Sequence, residues 1–301
     1  MYKYHCLNPI SPVGMGQLDA NYENTENAAD ADVILVRSAK MHEMEFGENL
    51  KAIARAGAGV NNIPLDRCAE EGIVVFNTPG ANANGVKELV IAGMLLAARD
   101  IVGGINWVKG YDEDGDIAKA AEKKKKAFAG TELKGKKLGV IGLGAIGVLV
   151  ANAATHLGME VYGYDPYVSV DSAWRLSRNI HHAKTADEIY KECDYITIHV
   201  PALEDTKGMI NKNAISLMKD GVVIINTSRG TNVDEDALLA ALESGKVRAA
   251  GLDVYAEEPA KNHALYCHPM VSCTPHIGAA TVEAQKRIGA EIVDIITNFK
   301  A

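Results

Sequence analysis

Short apolar runs alternate with longer segments of helical spacing along the whole chain. Residues 31–38 (ADVILVRS), 50–57 (LKAIARAG) and 72–77 (GIVVFN) are strand-length, apolar without alternation, and closed by Gly, Asn or Ser. A strand that is apolar on both faces belongs to a sheet covered on both sides, which predicts parallel α/β layers. Residues 64–71 fit a helix with Pro64 in its first turn, and residues 85–100, rich in Ala, Leu and Val, predict a long one. A second series begins at residues 136–142 (KKLGVIG) and continues through MEVYGYD, DYITIHV, GVVIINT, VRAAGLDV and MVSCTPH. Helical segments such as residues 234–244 separate these runs. The polar stretch 110–130 divides the two series. Val282, Ile288, Ile292, Ile295 and Phe299 recur mostly at steps of three or four, so the chain ends on an amphipathic helix.

Composition narrows the class. At 301 residues the prior is two domains, with no length left for a third regulatory module. Charged residues are 23 % and the formal charge is −8, which excludes a surface built for nucleic acid or an anionic membrane. The five cysteines, Cys6, Cys68, Cys193, Cys267 and Cys273, are scattered without metal-ligand spacing, so neither a disulfide framework nor a metal site is expected. The longest apolar stretch, residues 89–98, is about half of the ~20 residues a bilayer span needs. The start, MYKYHCLNPI, lacks the form of a signal peptide. A cytoplasmic protein is expected.

The first chemical signal is GLGAIG, residues 142–147, fitting G-x-G-x-x-G between an apolar strand and the helical run VLVANAATHLG. Gly142 permits the tight turn, Gly144 lets backbone approach a pyrophosphate, and Gly147 lets strand and helix pack closely. The N–H groups of the first helical turn, from Ala145 and Ile146 onward, carry partial positive charge towards phosphate. An acid at the end of the next strand completes the pattern, and Asp165 stands 18 residues beyond Gly147. Its carboxylate accepts ribose hydroxyls and repels a 2′-phosphate, so the expected cofactor is NAD.

A site that uses NAD on an alcohol needs a proton carrier and a cation for a neighbouring carboxylate. Three segments at the ends of second-series strands supply such residues: INTSRG with Arg229, LDVYAEEP with Asp253 and Glu258, and TPHIGAAT with His276. Glu257 stands beside Glu258 as an alternative partner for the histidine. His181 and His182 lie in a polar stretch and are read as solvated. His199, in ITIHVP, is read as a structural strand-end residue near the cofactor.

RAGAGVNNI, NTPGAN, KELV, GLGAIG, HVPALEDTKGMI, NTSRG, LDVYAEEP and TPHIGAAT follow one another as in the D-isomer-specific 2-hydroxyacid dehydrogenase family, which the chain resembles over practically its whole length. The wording is nearest to the branch that oxidises phosphoglycerate. The resemblance implies His276 as general acid/base, oriented by Glu258, with Arg229 on the substrate carboxylate and 2-oxo oxygen. It gives Asp253 the nicotinamide carboxamide. Tyr255 departs from the phenylalanine expected after that aspartate. Ala58, Gly59, Val60 and Asn82 match substrate-binding positions, and Arg37 and Arg55 match phosphate-binding arginines. Lys125, within the run 123–126 that reads as a solvated helix face, falls near a basic family position.

The resemblance also implies two Rossmann/flavodoxin-like parallel-sheet domains around a cleft. Residues 1–98 would form the substrate-binding domain, completed by a C-terminal helix at 276–301, and residues 99–275 the NAD-binding domain. A homodimer is implied. The expected reaction is oxidation of 3-phospho-D-glycerate to 3-phosphohydroxypyruvate, at the start of serine biosynthesis. The alternative is a reductase of hydroxypyruvate, glyoxylate or another D-2-hydroxy acid; an NAD-sensing binding protein is a third reading. The 25 residues after His276 leave room for one returning helix, so no serine-binding domain and no such feedback are expected.

Overall fold

A computed structural model of the chain describes residues 1–111 and 115–299. The polar stretch 110–130 and the tail helix read to 301 include residues 112–114 and 300–301, which lie outside the described residues. In chain order the first elements are β1 (Tyr2–Cys6), α1 (Pro12–Met15), β2 (Tyr22–Asn24), β3 (Val33–Val36), β4 (Ala52–Arg55), α2 (Leu65–Glu70), β5 (Val74–Asn77) and α3 (Ala83–Ala98). Next come α4 (Ile101–Lys109), α5 (Ile117–Lys124), β6 (Lys137–Ile141), α6 (Ala145–His156), β7 (Glu160–Tyr164), α7 (Val170–Trp174), β8 (His181–His182) and α8 (Ala186–Glu192). The rest are β9 (Tyr195–Ile198), α9 (Lys212–Leu217), β10 (Val222–Asn226), α10 (Glu235–Glu243), β11 (Val247–Leu252), α11 (His263–Tyr266), β12 (Val271–Cys273) and α12 (Val282–Asn298).

The chain divides into two compact units, Met1–Gly85 with Ala279–Ala301, and Val86–Gly278. The first holds a parallel sheet of five strands in the order β2-β1-β3-β4-β5, the flavodoxin-like winding. The second holds seven parallel strands in the order β12-β11-β10-β9-β6-β7-β8. Numbered from β6, that is the Rossmann order extended by one strand, with its reversal point between β6 and β9. Both sheets follow from the continuous apolar runs. In β10, Val222 and Ile224 enter one core layer while Val223 and Ile225 enter the opposite layer. In β3, Val33 and Leu35 face one layer and Ile34 and Val36 the other.

The division falls inside α3 rather than at residue 98. Val86, Val90, Met94, Ala97 and Ala98 are buried with Leu138 and Val140 of β6, so the apolar face of α3 serves the second core. At the other end, the second unit runs on to Gly278 because Asp253 holds the backbone of Ile277 and Gly278. The periodicity of the tail is realised in α12, which buries Ile288, Ile292, Val293 and Ile296 on the first sheet. Three short strands escaped the reading of the sequence: β1, β2 and β8. β8 is formed by the exposed His181 and His182, whose polarity hides an edge strand. Among the described residues, no helix is long and apolar enough to cross a membrane.

Candidate active site

At the reversal point of the second sheet, Gly142 leaves β6 with φ 92° and donates its N–H to the Tyr164 carbonyl at 2.8 Å. A side chain is impossible there: a Cβ on Gly142 would stand 2.6 Å from the His199 carbonyl oxygen, and one on Gly147 1.9 Å from the Gly142 carbonyl oxygen. Above Gly144, the N-cap of α6, nothing lies within 4 Å of where a Cβ would be. Gly144 and Ala145 are exposed, so the first-turn N–H groups of a 12-residue helix face an open, backbone-lined cradle. The Asp165 carboxylate accepts the Leu143 N–H and the Tyr167 N–H, both at 2.8 Å. Each oxygen keeps a further lone pair for a ribose hydroxyl. Tight turn, open cradle and acid together fit a dinucleotide.

Beyond the cradle, His276 adopts φ 55°, a left-handed backbone rare outside glycine and concentrated at functional sites. Its Nδ1 lies 2.9 Å and 3.1 Å from the two carboxylate oxygens of Glu258. Glu257 pairs instead with Lys261, so of the two neighbouring acids it is Glu258 that meets the histidine. Arg229 is half-buried at the start of the loop after β10, where its Nη1 donates to the Ser228 carbonyl at 2.7 Å. Burial pulls its guanidinium below the usual arginine range, with the Glu258 carboxylate opposing that shift. An arginine so held stays charged.

Asp253 is buried, and its three donors come from the chain itself. Oδ1 accepts the Thr274 hydroxyl at 2.6 Å and the Ile277 N–H at 2.7 Å, while Oδ2 accepts the Gly278 N–H at 2.8 Å. Tyr255 donates its hydroxyl to the Thr274 carbonyl at 2.9 Å. Behind Arg229, the side chains of Asn226, Ser228 and Asn232 form a buried relay. Asn226 Nδ2 donates to the Arg229 carbonyl, Ser228 Oγ donates to Asn226 Oδ1, and Asn232 Nδ2 reaches Ser228 Oγ and the Val200 carbonyl. Thr274, Asn226 and Asn232 were not singled out from the sequence. For Asn226 and Thr274 the available signal was their polarity at the ends of apolar strands; Asn232, in the turn 230–232, carried none.

His199 follows β9 beside the Gly142 turn, its Nε2 3.0 Å from the Thr197 hydroxyl and its Nδ1 buried. Burial lowers its pKa to about 3, so the folded unit holds the imidazole neutral. An unfolded chain takes up a proton below about pH 6.5 that the folded chain refuses. Stability therefore falls as pH drops from about 6.5 towards 3, with a full slope of about 1.4 kcal/mol per pH unit for this one group. Urea midpoints measured from pH 7 to 5 are expected to show this slope and lose it in His199→Gln. An identical profile in the variant would refute the assignment.

In the first unit, Arg37 and Arg55 stand at the carboxyl ends of the adjacent strands β3 and β4, where Val36 pairs with Arg55 in register. The N–H groups of Arg37, Ser38 and Ala39 all donate to Asn8 Oδ1 at 2.9–3.0 Å, fixing the first of these loops. After β4, Gly57 takes φ 130°, and the Arg55 guanidinium lies 1.7 Å from where a Gly57 Cβ would be. The side chain of Arg55 is thus folded against the glycine-rich loop. Gly57 donates to the Thr78 hydroxyl at 2.8 Å, and Asn77 Nδ2 donates to the Ala58 carbonyl at 2.7 Å, so Ala58, Gly59 and Val60 are held beside β5. Asn82 is partly buried in the turn ahead of α3. Lys123, Lys124, Lys125 and Lys126 are exposed in the second unit, with Lys125 pairing to Glu122.

Residues 91–278 match the family model described as D-isomer specific 2-hydroxyacid dehydrogenase, NAD binding domain. A hydroxypyruvate reductase of Thermotoga maritima is 42 % identical over 323 residues, spanning 98 % of this chain and 97 % of that one. A D-3-phosphoglycerate dehydrogenase of Methanocaldococcus jannaschii is 42 % identical over 277 residues, 91 % of this chain but 51 % of that one. The chain thus spans about half the length of that relative. Among solved structures, an NAD⁺-bound 3-phosphoglycerate dehydrogenase from Entamoeba histolytica superimposes with TM-score 0.76 at 30 % identity, covering 99 % of this chain and 95 % of that one.

Proposed function

Because the chain belongs to the D-isomer-specific 2-hydroxyacid dehydrogenase family and carries its NAD-binding domain, we propose that it interconverts 3-phospho-D-glycerate and 3-phosphohydroxypyruvate, the step that opens serine formation. The observation that carries the phosphorylated substrate is the pair of arginines at the carboxyl ends of neighbouring strands, Arg37 and Arg55, next to a glycine-rich loop. Two guanidinium groups there exceed what a single carboxylate requires and suit a phosphoryl group. The likeness to a solved 3-phosphoglycerate dehydrogenase over 95 % of its chain supports the same reading.

NAD, when bound, supplies the acceptor for the hydride of C2. In this reading His276 removes the C2 hydroxyl proton during oxidation and returns it during reduction. Glu258 on Nδ1 selects the tautomer whose Nε2 exchanges that proton and stabilises the charged imidazole that results. Arg229 grips the carboxylate and 2-oxo oxygen, polarising the carbonyl during reduction. Gly142, Gly144 and the first-turn amides of Ala145, Ile146 and Gly147 would hold the pyrophosphate, and Asp165 the ribose hydroxyls. Arg37 and Arg55 take the phosphoryl group, with Ala58, Gly59, Val60 and Asn82 on the rest of the substrate. A homodimer belongs to this reading, supported by Val102, Ile105 and Val108 of α4, exposed at 47–54 %, an apolar face that a second copy would cover.

The near full-length likeness to a hydroxypyruvate reductase favours a second reading, in which the substrate lacks the phosphoryl group. Reduction rates with the two 2-oxo acids decide between them. The first reading expects 3-phosphohydroxypyruvate to be preferred, and Arg55→Ala to lower its kcat/KM by about 10–100-fold, the worth of a lost charge-assisted hydrogen bond. The rate with hydroxypyruvate should stay within about threefold. Equal efficiency on both substrates in the unaltered protein would establish the second reading.

A further inference from the structure

The turn that carries His276 is tied down by side chains that do not touch the imidazole. Residues 274–278 leave β12 and pass through a left-handed residue at His276, φ 55°. Pro275, His276 and Ile277 are exposed between the half-buried Thr274 and the buried Gly278 with no ladder to hold them, and a left-handed residue such as His276 costs of the order of 1–3 kcal/mol unless its surroundings impose it. Here they do. The buried Asp253 carboxylate accepts the N–H groups of Ile277 and Gly278, the two peptides that follow the histidine, and the hydroxyl of Thr274, two residues before it. Tyr255, two residues beyond Asp253, donates its hydroxyl to the Thr274 carbonyl. Both residues belong to the segment after β11, which itself ends at Glu258. One segment therefore delivers the carboxylate that pairs with His276 and grips the turn on both sides of it. Its own root is fixed, since the Asp253 N–H donates to the Asn226 carbonyl at 3.0 Å.

We propose that Asp253 and Tyr255 are positioning residues, a two-sided staple that keeps the 274–278 turn in the conformation in which His276 meets Glu258. This rests on the reading of His276 as the proton carrier. The staple acts on the chemical step through the histidine. It is separate from any contact of Asp253 with the cofactor, because its three acceptor contacts are all made to the protein.

Three variants of graded severity test it: Tyr255→Phe and Thr274→Val, which each remove one hydroxyl and keep the shape, and Asp253→Asn, which turns an acceptor into an amide facing two N–H donors. Each is measured for NADH affinity by fluorescence titration, for kcat and KM with 2-oxo acids, and for hydrogen exchange at the Ile277 and Gly278 amides. The staple expects exchange there to quicken by about tenfold or more in Asp253→Asn. It expects kcat to fall about 3–10-fold in the two mild variants, with KM and the NADH Kd within about threefold, and about 100-fold in Asp253→Asn. Unchanged exchange in all three variants overturns it. So does an NADH Kd that weakens while kcat holds, which would make Asp253 a cofactor contact. If the unaltered protein turns over no 2-oxo acid, the functional reading falls, and the exchange and NADH titrations then decide the staple by themselves.

Discussion

Replacing His276 by Asn is expected to lower kcat by about 10²–10⁴-fold while leaving the NADH Kd within about threefold. Asparagine suits this test because it tolerates the left-handed backbone that His276 adopts at φ 55°. The substitution therefore removes the proposed proton carrier without breaking the turn. Alanine would confound lost chemistry with backbone strain. The loss corresponds to about 3–5 kcal/mol of transition-state stabilisation, the range of a positioned acid/base. Steady-state reduction rates, with NADH binding followed separately by fluorescence, give the measurement. Turnover near that of the unaltered protein would remove His276 from the chemistry.

Arg229→Gln should have an effect of comparable size but distributed differently. In the proposed role, losing the arginine that grips the substrate carboxylate costs about 2–5 kcal/mol, so KM for the 2-oxo acid should rise on the order of 10²-fold. A fall in kcat should accompany it, because polarisation of the carbonyl is lost in the transition state. Arg229→Lys recovers only part of either term. A lysine offers a point charge where the planar fork of arginine makes two parallel contacts, and it lacks the reach by which Nη1 also donates to Ser228. The NADH Kd is the control, expected unchanged. A kcat/KM within threefold of the original in Arg229→Gln would overturn the assignment.

The two substitutions probe a constellation only partly legible beforehand. GLGAIG with Asp165 could be read directly, because a tight turn, a phosphate cradle and a ribose acid lie within one βαβ unit and are set by local backbone needs. His276, Arg229 and Glu258 could be marked as candidates by residue type and by the resemblance. Residue type alone did not separate Glu258 from Glu257, since adjacent residues differ only in which way the local backbone turns them; the resemblance named Glu258. Glu258 meets Nδ1 at 2.9 Å and Glu257 pairs with Lys261.

Asp253 shows the limit most clearly. Its place after a strand was evident, but its donors come from residues 21, 24 and 25 positions away, brought in by the pairing of β11 with β12. The same holds for the relay behind Arg229, whose link from Asn232 to Val200 spans 32 residues. The border inside α3 was also hidden, because an apolar helix face does not announce which of two sheets it will cover.

By itself, then, the sequence determined the α/β class, the two sheets and the nucleotide cradle. These depend on hydrophobic periodicity and on glycines that no other residue can replace. Tertiary structure alone decided where the helices are shared out and how the turn bearing His276 is held. Those outcomes rest on apolar packing and on hydrogen bonds between strand ends far apart in the chain, whose partners are not set by sequence neighbours.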